Sequence, residues 1–513
     1  MARIPETTKV YDPRDPKGAS PVAMRFDSAR VPPQAANDDH GDAEEYVERD
    51  VLPDFLKRDK VLSDFTHPGG FMEEVIDWIT SSAETPSREL ALSATLPFVA
   101  SLIGRRFGTT SRDTRANMYV VALAPSGFGK DHARGQLKRL RVAADGWLDK
   151  FFGPERLMSA SALRNELQDS PSRICLIDEF GGFVRDITDR KAAAHMRGIS
   201  TDLRDLWSAS GSLFGGAAYA NTKAVTIHNP NLNIYGTATP GQFWSAMRNA
   251  SAEDGLLPRF LLFSLERAAE VDLVVPAVPV STVPVRIIDR AVQLAGINRH
   301  VDEKPKLGKI LERVDQEGGK APMPVVGVAW TDDALDALAA FKRSEVKATR
   351  EAEEIVSPFI ARTTEYAIKL ALILAVTSTK KNEKRDGRGK LKATWSRPLV
   401  DMACWEWASG LAVRCIADMV SAIDKFVSDN EKEAVSKQIR ETVQKAKEKG
   451  ITEGGIIRSL PEGHNARIRI EALDDLVLAG RIRRIEKEPT GKGGRPSVRY
   501  HRQVGTDSNR GTA

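Results

Sequence analysis

Cysteine is scarce. Only Cys175, Cys404 and Cys415 occur in 513 residues, and none forms a Cys-x-x-Cys spacing. A disulfide framework and a structural zinc site are both disfavoured, and a reducing compartment is indicated. Aromatic residues make up only 6% of the chain, and long apolar runs are missing. The longest, at 91–103 and 367–376, are interrupted or too short to span a bilayer. The opening residues contain no apolar signal region. A cytoplasmic protein without a membrane partner is therefore expected. Neither sign of charge dominates: the net charge is +5 and the pI about 8.9. Such a mild basic balance is compatible with nucleic acid but does not require it.

What is present is an ordinary globular composition, 41% hydrophobic and 28% charged, with enough length for two to four domains. Residues 1–64 are rich in Pro, Asp and Ala, lack sustained periodicity, and read as a disordered tail. A helical lead-in follows over 65–115. Its apolar residues recur at helical spacing, from Phe71, Val75, Ile76 and Ile79 to Leu92, Leu96, Val99 and Ile103. From 116 to 275 short apolar runs (118–123, 174–177, 232–235, 260–265) alternate with helical stretches. This pattern predicts an α/β core with a largely parallel sheet covered on both faces. A Pro/Val-rich linker leads into a helical lid region, 276–428. Polar insertions near 304–324 and 380–392 read there as exposed loops, and Thr331 as a helix N-cap.

The segment 429–505 differs in character. Three helical patterns are followed by a strand, a Gly-rich basic turn and a second strand, the layout of a winged helix-turn-helix; a short tail, 506–513, ends the chain. From Arg481 onward nine basic residues face three acidic ones. Lys492 and Arg495 at the wing tip are the candidate phosphate contacts.

The chemistry concentrates at two places. The first is Ala124-Pro125-Ser126-Gly127-Phe128-Gly129-Lys130-Asp131-His132, which follows an apolar strand and opens a basic helix. This is the strand–loop–helix arrangement of a phosphate-binding loop. Its backbone N–H groups and helix N-terminus accept phosphate oxygens, and Lys130 adds a point charge on the β/γ-phosphates. Asp131 stands where Ser or Thr normally contacts Mg²⁺. A carboxylate ~5 Å from a phosphate oxygen would be repelled by roughly 3 kcal/mol at an effective dielectric near 20. Asp131 is therefore expected to touch Mg²⁺, the other possibility being that it turns away to cap the helix.

The second is Ile177-Asp178-Glu179, the end of an apolar strand expected beside the loop strand. There Asp178 would hold Mg²⁺ and Glu179 would polarise the attacking water. Thr237, at the tip of the third strand, is read either as a residue sensing the γ-phosphate or as an ordinary cap. Arg259, before the fourth strand, suits an arginine finger acting on a neighbouring subunit's ATP, which requires head-to-tail assembly into a ring. Lys223 and His228 flank a hairpin between the second and third strands that is a candidate DNA grip. Arg362 is a lid arginine within possible reach of nucleotide.

In this order the Lys130 loop, Leu176-Ile177-Asp178-Glu179-Phe180-Gly181, Tyr235-Gly236-Thr237-Ala238-Thr239-Pro240 and Leu257-Pro258-Arg259-Phe260 resemble a known family. It is the P-loop ATPase family of uncharacterised, helicase-like replication proteins of phages, plasmids and integrated elements, often primase-associated. The Leu257-Pro258-Arg259-Phe260 stretch is also similar to the finger region of minichromosome-maintenance helicases. The resemblance covers roughly residues 65 to 425. It implies a P-loop NTPase core with a RecA/AAA+-like parallel sheet, helical flanking regions and a C-terminal winged helix-turn-helix. It further implies ATP and Mg²⁺, single-stranded or duplex DNA, a homo-oligomeric ring and a separate primase, since no primase module fits before residue 65. The expected function is a ring-forming DNA helicase or translocase serving a mobile element. A DNA-bound ATPase switch or loader that remodels replication proteins without unwinding is the alternative.

Overall fold

The computed structural model describes residues 52–57, 60–109, 113–189, 192–216, 224–247, 255–265, 275–297, 319, 322–385, 391–446, 449–460, 466–487 and 497–502. The chain divides into two compact units, Met1–Met419 and Val420–Ala513. Among the described residues, no helix is long and apolar enough to cross a membrane.

The first unit is mixed α/β. All four apolar runs of the core become strands of one sheet, and every pairing in it is parallel. These are the loop strand Tyr119–Leu123, the acid strand Ser172–Ile177, the middle strand Asn231–Ala238 and the outer strand Phe260–Ser264. The loop and middle strands are buried along their whole length, and the acid and outer strands at all but one residue each. That burial is why they read as continuous apolar runs rather than alternating ones.

The spatial order is acid, middle, loop, outer. The acid strand is therefore not the neighbour of the loop strand; the middle strand lies between them. A parallel connection must cross the sheet face through a helix, and the crossover does not dictate which strand is skipped. Two polar side chains lock the insertion. Asn233 Oδ1 accepts the Met118 amide at 2.8 Å, and Asn231 Nδ2 donates to Ser172 Oγ at 2.7 Å and to the Ala100 carbonyl at 2.9 Å.

Helices Gly70–Ser81 and Arg88–Ile103 occupy the expected lead-in. The second is buried from Leu90 to Ile103 on every face. A helix apolar all round belongs in a core, and its polar members are satisfied internally: Ser93, Thr95 and Ser101 donate to the carbonyls of Leu90, Ala91 and Phe98. Helix Thr363–Thr377 is likewise buried at every residue but Glu365. Structure is described before the expected boundary, since short turns at Asp54–Leu56 and Leu62–Phe65 bury Leu56, Leu62 and Phe65; residues 1–51 of the expected tail lie outside the described residues.

Two further strand groups were not anticipated. Phe107–Thr109, Val326–Trp330 and Leu399–Val400 form a small parallel sheet. The polar insertion at 380–392 is no simple loop, because Lys381–Arg385 pairs antiparallel with Leu391–Trp395. The insertion at 304–324 lies almost wholly outside the described residues.

In the second unit, helices Glu453–Ser459 and Ala466–Leu478 accompany a three-stranded antiparallel sheet of Ile451–Thr452, Ser497–Arg502 and Ile482–Lys487. Its core gathers Val435, Ile439, Val443, Ile456, Leu473, Ile482 and Tyr500.

Candidate functional site

Parallel strands all point the same way, so their C-terminal ends form one edge of the sheet, where ligands of open α/β folds bind. Three pieces of the predicted site arrive at this edge. The loop strand ends at Leu123, in register with Ala238; Ala122 pairs with Thr237, and Gly236 with Ile177. Thr237 therefore stands level with Asp178, and the loop begins one strand further over.

The loop 124–129 closes onto helix Lys130–Ala143. Gly127 has φ +88° and Gly129 φ +71°, backbone conformations that suit glycine far better than any residue with a Cβ. Ser126 and Gly127 are exposed, Ala124 is buried and anchored through its amide to the Ala238 carbonyl at 3.2 Å, and Pro125, Phe128 and Gly129 are half-buried. Lys130 is the first residue of the helix and half-buried. Among the described residues its side chain has no hydrogen-bond or ion-pair partner.

Asp178 is held from three sides. Its Oδ1 accepts from the Glu179 amide at 2.9 Å and from the Thr237 hydroxyl at 3.2 Å, while Oδ2 accepts from Arg134 Nη2 at 2.7 Å. Burial pushes the Asp178 carboxyl up, but the Glu179 amide, the Arg134 guanidinium and the Thr237 hydroxyl outweigh it and hold it below the usual carboxylate value. Thr237 is fully buried. Its hydroxyl is committed to the acid, which gives the residue a structural partner at the site beyond the two roles read from sequence.

Glu179 is exposed and carries φ +49° and ψ +44°, left-handed backbone at a residue that is not glycine. L-residues adopt this region at a cost, and such outliers cluster at functional sites. Among the described residues its carboxylate has no partner. Lys130 and Glu179 are thus the two site groups left free.

Arg134 escaped the sequence reading. It lies one helical turn after Lys130, about 6 Å along the axis, and Nη2 also reaches Asp131 Oδ1 at 3.0 Å. Because Arg134 spans from this helix to Asp178, Lys130 is brought within a nucleotide's reach of the acids. The available signal was its i+3 spacing from Asp131, but four other basic residues crowd the same helix (Lys130, Lys138, Arg139, Arg141). Asp131 is more exposed than Asp178, and its charge is offset by Arg134 rather than by a helix cap.

His132 turns away from the loop's mouth. Its Nε2 contacts the Ile79 carbonyl at 3.0 Å and Ser82 Oγ at 3.1 Å, and burial lowers its pKa. It borders a recess beside the loop, walled by Ile79, Ala83, Leu90 and Ala133 with Thr85 and Ser87 at its polar side.

Arg259 is not at this edge. It precedes Phe260, which pairs with Tyr119, so it sits at the opposite end of the sheet. Its Nη1 donates to the Gly255 carbonyl, and its Nε is buried without a partner among the described residues. Burial and the nearby Arg362 lower its pKa. Arg362 belongs to the same distant group, since it pairs with Glu365 at 3.0 Å; it is not placed over the loop. His228 lies in the Thr226–His228 strand, paired with Leu213–Gly215. Lys223, Lys492 and Arg495 lie outside the described residues.

No family model matches the chain, and no curated protein matches it.

Whether these residues suit Mg²⁺ can be judged from their chemistry. Among the described residues there is no group of three or more His, Cys, Asp or Glu side chains able to hold a metal. Asp131 and Asp178 are nevertheless brought close enough to share one guanidinium nitrogen. Two carboxylates are what Mg²⁺ ordinarily takes from a protein when substrate phosphates and water complete its shell. The donor set fits.

Proposed function

We propose that this chain is a P-loop ATP hydrolase coupled to DNA, a ring-forming helicase or translocase. The observation that carries the proposal is the convergence of Lys130, Asp178, Glu179 and Thr237 on one edge of a parallel sheet, next to a glycine loop that opens a helix. In this reading the free amides of residues 126–130 and the Lys130 ammonium bind the β- and γ-phosphate oxygens.

Glu179 accepts the proton of the attacking water. As it does so, the water oxygen bonds to the γ-phosphorus and the bond from phosphorus to the β,γ-bridging oxygen breaks, releasing phosphate and ADP. Thr237 positions Asp178 through its hydroxyl, and the strained backbone at Glu179 aims the carboxylate at solvent. Mg²⁺, held by Asp178 and Asp131, would neutralise charge on the phosphates.

Support for the DNA half is of a different kind. The order of the four motifs resembles helicase-like replication ATPases. The second unit, with its three-stranded sheet and helices, suits a winged helix, and it exposes Arg481, Arg483 and Arg484 toward a polyanion.

Phosphate release by the full chain, with and without single-stranded DNA, tests the proposal. Hydrolysis stimulated by DNA and abolished in Lys130→Ala is expected. A parent protein that hydrolyses no nucleotide, or a Lys130→Ala variant as fast as the parent, would end the reading. A forked duplex separates the motor from a loader, because the loader hydrolyses ATP without displacing a strand.

A further inference from the structure

The two carboxylates assigned to the metal are already bridged by a cation. Arg134 Nη2 lies 3.0 Å from Asp131 Oδ1 and 2.7 Å from Asp178 Oδ2. Its side chain is only 12% exposed, against 66% for Asp131 and 45% for Asp178. A mostly buried guanidinium that a carboxylate on another element fixes is pre-organised, unlike a solvated surface pair. The other oxygen of Asp178 is taken by the Glu179 amide and Thr237. Oδ1 of Asp178 thus already accepts two bonds, and the approach to Oδ2 is shared with the Arg134 guanidinium, so a metal arriving at Asp178 meets a positive charge while Arg134 stays.

We propose that Arg134 is a positioning residue that occupies the cation's place, excludes divalent metal from the nucleotide-free site and makes metal loading wait for the triphosphate. The inference rests on the hydrolase reading given above. The physical reasoning is a balance of charge. In the free protein Asp131 and Asp178 carry two negative charges and Arg134 offsets one, leaving too little field to strip water from a hard cation that dehydrates reluctantly. A triphosphate brings several further negative oxygens and a competing partner for the guanidinium. The balance then favours the divalent ion. Asp131, which would repel phosphate were it bare, is kept neutralised until that exchange.

The test uses Mn²⁺ as the probe and needs no turnover. Bound Mn²⁺ is counted by electron paramagnetic resonance on the nucleotide-free full chain. The parent is expected to show no saturable site at Asp178, whereas Arg134→Gln gains one at least tenfold tighter than any binding by the parent. Arg134→Lys, which keeps the charge, restores most of the exclusion, and Arg134→Gln combined with Asp178→Asn loses the new site. Equal Mn²⁺ affinity in the parent and Arg134→Gln overturns the proposal, as does an Arg134→Lys protein as open as Arg134→Gln. The unaltered protein supplies a test independent of how the variants fold: a micromolar Mn²⁺ site that Asp178→Asn removes also overturns it. None of these results bears on hydrolysis, so the ATPase reading stands or falls separately on Lys130→Ala.

Discussion

At Glu179 the backbone and the chemistry pull in different directions. Left-handed φ and ψ at a glutamate cost about 1–2 kcal/mol relative to glycine. The geometry persists because the Glu179 amide binds Asp178 Oδ1 and its carbonyl accepts the amides of Gly182 and Phe183. Glu179→Gly should therefore raise thermal stability by about 1 kcal/mol while abolishing hydrolysis. Glu179→Gln should abolish hydrolysis with no gain in stability, leaving nucleotide binding intact. A glycine variant no more stable than the glutamine variant would mean the strain is absent.

A second residue stores electrostatic cost. Lys369 is fully buried, near the Asn117 carbonyl (3.1 Å), Glu365 (3.7 Å) and the Trp207 ring (4.2 Å). Burial drives its pKa down to about 8, against an opposing pull from Glu365. Below about pH 8 Lys369 is charged in both folded and unfolded chains, and its penalty is constant. Between there and about 10.5 the unfolded chain holds a proton that the folded chain releases, so stability rises with pH by up to about 3 kcal/mol. Urea midpoints of the parent relative to Lys369→Met should thus move in favour of the parent from pH 7.5 to pH 10. An unchanged difference would show that Lys369 is not buried as a charge.

At the scale of elements, the middle strand is the piece on which the site depends. It separates the loop strand from the acid strand and presents Thr237 to Asp178. The strand can lie so close to the helix Phe180–Thr188 only because residue 236 is glycine: a Cβ there would come within 2.4 Å of the Phe180 ring. Gly236→Ala should cost about 1–3 kcal/mol through overpacking. It should also lower hydrolysis more than nucleotide binding, since Phe180 adjoins both acids and lies away from the loop. Equal losses of turnover and of nucleotide affinity would contradict that division of labour.

The same elements explain how much could be read beforehand. Buried parallel strands advertise themselves as apolar runs, and the glycine loop and paired acids carry fixed spacings, so the four strands and the site's principal residues were visible. Strand order was not, because Asn231 and Asn233, which fix it, look like ordinary turn formers. Arg134 was hidden among the basic residues of its helix, as its role depends on a carboxylate 44 residues away in sequence. The small sheet of Phe107–Thr109, Val326–Trp330 and Leu399–Val400 joins short strands far apart in the chain. The Lys381–Arg385 strand has no apolar residue to mark it.

For the molecule as a whole, the decisive quantity is the distance between Arg259 and the glycine loop. Phe260 pairs with Tyr119, so Arg259 lies five residues of strand below the point where the loop begins. At about 3.3 Å per residue this is roughly 17 Å, with packed sheet between. An arginine placed there has no route to its own subunit's γ-phosphate, so any contribution it makes to hydrolysis must reach the next subunit's site, as a head-to-tail ring allows. Two inactive proteins then become a test. Lys130→Ala retains the arginine but has lost its own phosphate grip; Arg259→Ala retains the grip but offers no arginine to its neighbour. Each alone should hydrolyse at a small fraction of the parent rate. When they are mixed, interfaces pairing an Arg259→Ala site with a Lys130→Ala arginine are complete, and activity should rise several-fold above either protein, most steeply near equal proportions. Mixing that never exceeds the sum of the separate rates, in a preparation shown by light scattering to be oligomeric, would place Arg259 outside the chemistry and remove the reason for the ring.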